Sequence, residues 1–172
     1  MAGQNVMRRG ITWDQVPDDA VGMVHDFPDV NWDDSTGVKT KNTNSTVRCR
    51  LVRNVSGGTL APALLVDYKT GSFLTEVDSL SGTTSYPAGM VDEFVPSAGV
   101  PDDDYFWIVV DGPTKGTDSG SGCTARTPVA AAASGEIADA SSPPTDNDVG
   151  LADAAIAADA TGRIYLRLPY TG

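Results

Sequence analysis

The run Tyr105-Phe106-Trp107-Ile108-Val109-Val110 constrains the fold more than any other stretch of this chain. Every position is aromatic or aliphatic, so a strand built from it presents apolar side chains to both of its faces. Such a strand is central and covered on both sides, each buried side chain contributing roughly 1.5–3 kcal/mol. A charge placed at Ile108 is expected to unfold the domain. Three aspartates, Asp102 to Asp104, precede the run, and Asp111-Gly112-Pro113 follows it. Aspartate favours turns that lead into strands because its carboxylate bonds nearby backbone N–H groups. The acidic cluster therefore reads as the hydrophilic shoulder of a buried strand, with a cation held between subunits as the alternative.

Other segments carry the period-two signature of half-buried strands. In "TVRCRLV", Val47, Cys49 and Leu51 share one face and Arg48 and Arg50 the other. The Gly57-Gly58 turn then leads to Pro62–Tyr68, expected to be the partner strand of a hairpin. Lys69-Thr70-Gly71 is a further turn, before a strand over about Ser72 to Val77. In "RIYLRLP", Ile164, Leu166 and Leu168 face one way and Arg163, Tyr165 and Arg167 the other. A hairpin turning at Asp159–Gly162 would pair this strand with Val149–Ile156, a reading preferred to two helical turns over the alanines before it. "TPVAAAASGEI" fits either a strand of small side chains or a short helix.

Short strands punctuated by 18 glycines and 11 prolines, with no repeated βα unit, predict an all-β fold, a β-sandwich or β-barrel. Residues 1–46 lack sustained periodicity and read as an extended, irregular N-terminal arm with short strands; residues 47–172 form the β domain.

With 23 acidic against 12 basic residues the net charge is −11, which repels nucleic-acid phosphates and anionic lipid. Neither a direct nucleic-acid partner nor a membrane partner is expected. No apolar run approaches the roughly 20 residues of a membrane span, and "MAGQNVMRRGITWDQ" lacks the hydrophobic centre of a secretion signal. Cys49 and Cys123 have no metal-ligand spacing and read as two reduced thiols.

Catalytic strings are weak. "TDSGSG", Thr117 to Gly122, is similar to the nucleophile segment of chymotrypsin-like proteases with Ser119 in the serine position, and His25 is the one histidine available as its base. The bland alternative, a Ser/Gly surface loop, is favoured. Aspartates at 14, 18, 19, 26, 29, 33, 34, 102–104, 146 and 148 supply oxygens for Ca²⁺ but match no ordered calcium loop. Phosphate-binding, zinc-helix and dinucleotide motifs do not occur. No enzyme activity, catalytic residue, metal or cofactor is expected.

Trp13, Phe27 and Trp32 stand in a segment without a core pattern, so they either fold back on the domain or are buried against another chain. Arg48 and Arg50 could meet an acidic partner, although a solvated face or internal ion pairs are the commoner use of such residues.

"RLVRNVSGGTLAPALLVDY", "AGVPDDDYFWIVVDGPTKG", "TPVAAAASGEI" and "VGLADAAIAADATGRIYLRLPY" resemble, in this order, segments of the small decoration or cement proteins on the heads of tailed bacteriophages. The resemblance covers about Arg48 to Leu168. It implies an all-β domain on the capsid exterior, assembled in the host cytoplasm. There it would act as a homotrimer that clamps adjacent major capsid subunits after the head expands, with no active site. On that basis Trp13, Phe27 and Trp32 would be anchors of the arm and Arg48 and Arg50 would meet capsid carboxylates. Removing residues 1–34 should then abolish capsid binding without unfolding the β domain. A tail or neck component, or a carbohydrate-binding adhesion module, is the alternative that the same β-rich fold would serve.

Overall fold

The computed structural model describes residues 9–33, 38–82, 87–140 and 148–168. Ten strands run in chain order: β1 (Val24–Asp33), β2 (Val38–Asn54), β3 (Leu65–Tyr68), β4 (Glu76–Ser79), β5 (Gly89–Val91), β6 (Tyr105–Thr117), β7 (Pro128–Ala131), β8 (Ile137–Asp139), β9 (Asp148–Ala152) and β10 (Thr161–Arg167). Two 3-10 turns, Asp18–Ala20 and Ala133–Gly135, are the helical elements of the described residues. The fold is all-β, as the turn-rich pattern predicts.

The pairings close on themselves twice. The order β2-β4-β3-β5-β6 returns to β2 through the β2–β6 ladder, making one ring. The order β6-β10-β9-β7-β8 returns to the end of β6, where Asp118 bridges Ile137 and the Ser119 N–H donates to the Ile137 carbonyl. Both rings share β6, and closure leaves few free strand edges.

This shared position explains the apolar run. Phe106, Ile108 and Val110 face the first ring with Val52, Val66, Val77 and Val91, while Trp107 and Val109 face the other way with Val47, Cys49, Leu51, Met90, Ile164 and Leu166. Met90 and Val91 of β5 divide between the same two clusters. At Gly112, φ is +106° and an added Cβ would lie 2.6 Å from the Thr46 carbonyl oxygen, so only glycine lets β2 pass this close to β6.

Several local expectations meet the structure differently. β2 does not form a hairpin with the segment after Gly57-Gly58. It takes β6 antiparallel and β4 in parallel, Arg53 opposite Glu76, while β3 pairs with β4 and β5. Pro62 lacks a ladder N–H and Ala63 has φ +61°, which breaks the run before it can return along β2. The strand expected at 72–77 begins only at Glu76, because Ser72–Thr75 forms a turn with Leu74 at φ +72°. "PVAA" is strand, ended by the turn at Ala133–Gly135. The C-terminal hairpin is present, Ile164, Tyr165 and Leu166 lying opposite Ala152, Leu151 and Gly150, but its connection is residues 153–160 rather than Asp159–Gly162: Thr161 and Gly162 already belong to β10, and Ile156 bridges Cys123 instead.

The N-terminal segment is extended, but its described part is largely ordered strand. β1 and β2 form a long antiparallel hairpin from Val24↔Arg50 to Asp33↔Val38, with a bulge between Pro28 and Val30. The boundary drawn after residue 46 therefore runs through the middle of β2. The polar stretch "KTKNTNST" gives no hydrophobic alternation, so pairing rather than burial makes it a strand.

Candidate interaction surface

Trp13 and Phe27 are buried, which corrects their reading as anchors reaching a neighbour. Phe27 meets Trp107 edge to face, ring centroids 5.1 Å apart, and Trp13 exchanges backbone hydrogen bonds with Tyr105 at 3.0 and 2.7 Å. The physical reason is Trp107: the N-terminal segment and β1 contribute to the cluster that covers its outer face. Trp32 has its backbone in β1 opposite Lys39, and its side chain falls outside the described residues.

Arg50, expected on a partner-facing surface, is 1% exposed. It lies opposite Ile108, on the interior face of the first ring. There burial pushes the Tyr68 hydroxyl above its ordinary range and the Arg50 charge draws it partly back. Arg48 remains at the surface and holds Asp26 across the β1–β2 hairpin at 2.9 and 3.3 Å. Its hydrogen bonds and charge lower the Asp26 carboxyl, and Asp26 in turn raises the Arg48 guanidinium. Such an exposed pair orients the hairpin more than it stabilises it.

Two ionic pins hold the N-terminal segment. Arg9 makes a bidentate pair with Asp92 at 2.6 and 3.0 Å, almost wholly out of water, and its guanidinium lies 5.0 Å over the Phe94 ring. Burial lowers the Arg9 pKa, yet the Asp92 charge and hydrogen bonds more than reverse this. Asp29, beside the β1 bulge, accepts from Thr43 at 2.7 Å and pairs with Arg163 of β10 at 3.4 Å. Glu93 lies 3.7 Å from Arg163 and 2.9 Å from Lys115.

The aspartates before β6 do shoulder work. Asp102 accepts the Gly57 N–H at 2.9 Å, and Asp103, at φ +68°, pairs with Arg53 at 2.8 Å. Ser119 sits in a loop ordered by Asp118, whose carboxylate accepts the N–H groups of Gly120 and Gly122 at 2.8 Å and the Cys123 thiol at 3.3 Å. His25 packs edge-on against Phe27, centroids 4.6 Å apart. No hydrogen bond joins it to Ser119 among the described residues. Nor, among those residues, do three or more His, Cys, Asp or Glu side chains gather as a metal site; Asp34 and Asp146 lie outside them, as do the side chains of Asp18 and Asp33. Both cysteines are buried free thiols, Cys123 pushed up to about 12 by burial and by Asp118.

One surface feature went unread in the sequence. On the outer face of the second ring, Tyr165 lies opposite Leu151, and Leu151 opposite Pro128, across β10, β9 and β7. Tyr165 and Leu151 are 45% and 44% exposed although their strand neighbours Ile164, Leu166 and Ala152 are buried. The alternation around Tyr165 was legible, but its apolar row appears only when β9 and β7 are placed beside it. Elsewhere Phe73, 63% exposed, packs edge-on against Tyr68, centroids 4.7 Å apart.

The chain matches no family model and no curated protein. Among solved structures it is similar to the N base of the head fibre gp8.5 of bacteriophage phi29, with a TM-score of 0.51 and 13% identity, over 69% of this chain and 92% of that one. At that identity the likeness is one of fold.

Proposed function

We propose that this chain is a structural protein of a tailed-phage virion, bound to the outside of the head, where it clamps neighbouring major capsid subunits and stabilises the expanded shell. The observation that carries this reading is the fold likeness to the base of a phage head fibre, which extends over 92% of that base. The resemblance of the segments between Arg48 and Leu168 to head decoration proteins supports it from the sequence side. The reading includes a homotrimer, no enzymatic step, and no contact with the packaged nucleic acid, which an acidic chain would repel.

The mechanism is mass action. A protein that binds the expanded lattice and not the immature one shifts the equilibrium toward the expanded state in proportion to its occupancy, and the shell gains resistance to internal pressure. Co-sedimentation with undecorated immature and expanded heads of the encoding phage tests it. Saturable binding to expanded heads alone, with a higher disruption temperature, is the expected result; binding to neither form removes the proposal. A second reading, sugar binding, is favoured only by exposed Phe73 on Tyr68, and calorimetric titration with glycans decides it.

A further inference from the structure

We propose that the outer face of β10, β9 and β7, centred on Tyr165 and Leu151 and rimmed by Arg126 and Arg167, docks onto a protein surface of the head shell that presents carboxylates around an apolar centre. This rests on the head-binding reading above and names the face and the chemistry of its partner.

The first argument is charge. Among the described side chains, Arg9, Arg48, Arg53, Lys69, Lys115 and Arg163 each hold a carboxylate. Arg50 is buried in the first ring. Arg126 and Arg167 are exposed and, among the described residues, hold no ion pair. Arg167 lies opposite Asp111 in the ladder without bonding it. On a chain of net charge −11, the uncommitted Arg167 stands on this face and the uncommitted Arg126 in the turn that borders it. Arg167 is two residues along β10 from Tyr165 and so shares its side. Arg126 lies in the turn that leads into β7, at φ +60°, its N–H donating to the Ala152 carbonyl at 2.9 Å, which sets its backbone beside the end of β9. A planar guanidinium matches a carboxylate through two parallel hydrogen bonds.

The second argument is rigidity. Tyr165 and Leu151 alternate with core residues Ile164, Leu166 and Ala152, so their backbone is fixed by the ring interior before any partner arrives. A pre-organised tyrosine with an arginine rim has the composition of an interface centre and loses little entropy on binding. A second copy fits less well. A two-fold pair through this face would set like arginine rims together. Nucleic acid is disfavoured by the net charge of −11.

The test compares wild type with Tyr165→Ala, with the double change Arg126→Glu and Arg167→Glu, and with Phe73→Ala as a control on a different exposed aromatic. Binding to undecorated expanded heads of the encoding phage is measured across salt concentrations, with melting temperature and solution mass recorded for each protein. The expected result is about tenfold or greater weakening for Tyr165→Ala and for the double variant, with melting temperatures within about 3 °C of wild type and Phe73→Ala binding normally. Wild-type binding should fall with salt, and the double variant should lose that dependence. Should the double variant fold poorly, Arg167→Gln alone is expected to weaken binding in the same direction. Equal binding by the Tyr165 and arginine variants, with wild type bound, overturns this face while leaving the head-binding reading intact. A wild-type oligomer that the same variants dissociate would make the face a contact between copies and also overturn it. Absence of wild-type binding removes the head-binding reading and this inference with it.

Discussion

The Arg9 guanidinium meets the Asp92 carboxylate through two hydrogen bonds with both groups out of water, so removing either leaves the other charge stranded. Asp92→Ala is expected to cost about 3–5 kcal/mol in urea denaturation, and replacing both partners by apolar residues markedly less. An unchanged midpoint for Asp92→Ala would show that the pin contributes nothing. Asp118 gives a pH dependence of definite sign. Burial raises its carboxyl, but N–H groups of Gly122 and Gly120 outweigh this and hold it below its ordinary value. The unfolded chain therefore takes up that proton first as pH falls. The stability involved is complete above about pH 4 and is lost as pH drops through the lower folded value. Asp118→Asn should cost about 1–3 kcal/mol at neutral pH and flatten the acid limb of the stability profile, measured by urea titrations at pH 7 and pH 3.

At the scale of the element, β6 carries both rings, and its two-faced burial was legible because all six of its first residues are apolar. Phe106→Ala is expected to cost about 3–5 kcal/mol by chemical denaturation, since the cavity opens inside a closed ring that can collapse little. The β1–β2 hairpin was not legible. Its strands are largely polar, and what orders them is a ladder with a bulge, the Arg48–Asp26 pair and the Asp29–Arg163 pin, none of which leaves a periodic trace. The hairpin also reverses an expectation. Residues 1–34 were separable from the β domain on sequence grounds, yet they supply Trp13 and Phe27 to the cluster around Trp107 and Arg9 to Asp92. Deleting them should destabilise the domain by several kcal/mol, read as a large drop in melting temperature. A truncated protein that melts like the full chain would mean that the segment lies on the domain without supporting it.

For the whole molecule, two rings that share a strand and divide its residues between adjoining cores should unfold together. Calorimetry is expected to show one transition with matching calorimetric and van't Hoff enthalpies; two resolved transitions would mean that the rings are independent units. The sequence by itself determined the all-β class, the central place of Tyr105–Val110, the aspartate shoulder before it and the pairing of the two C-terminal strands. Each of these is written in contacts between near neighbours or in the apolar character of successive residues, which local chemistry dictates. Only the tertiary structure decided that β2 pairs with β6 and β4 rather than with the segment after Gly57-Gly58, that Trp13, Phe27 and Arg50 turn inward, and that Tyr165, Leu151 and Pro128 line up as one exposed row. Those outcomes depend on which distant strands lie side by side, and a residue's exposure is set by what the rest of the chain brings to cover it.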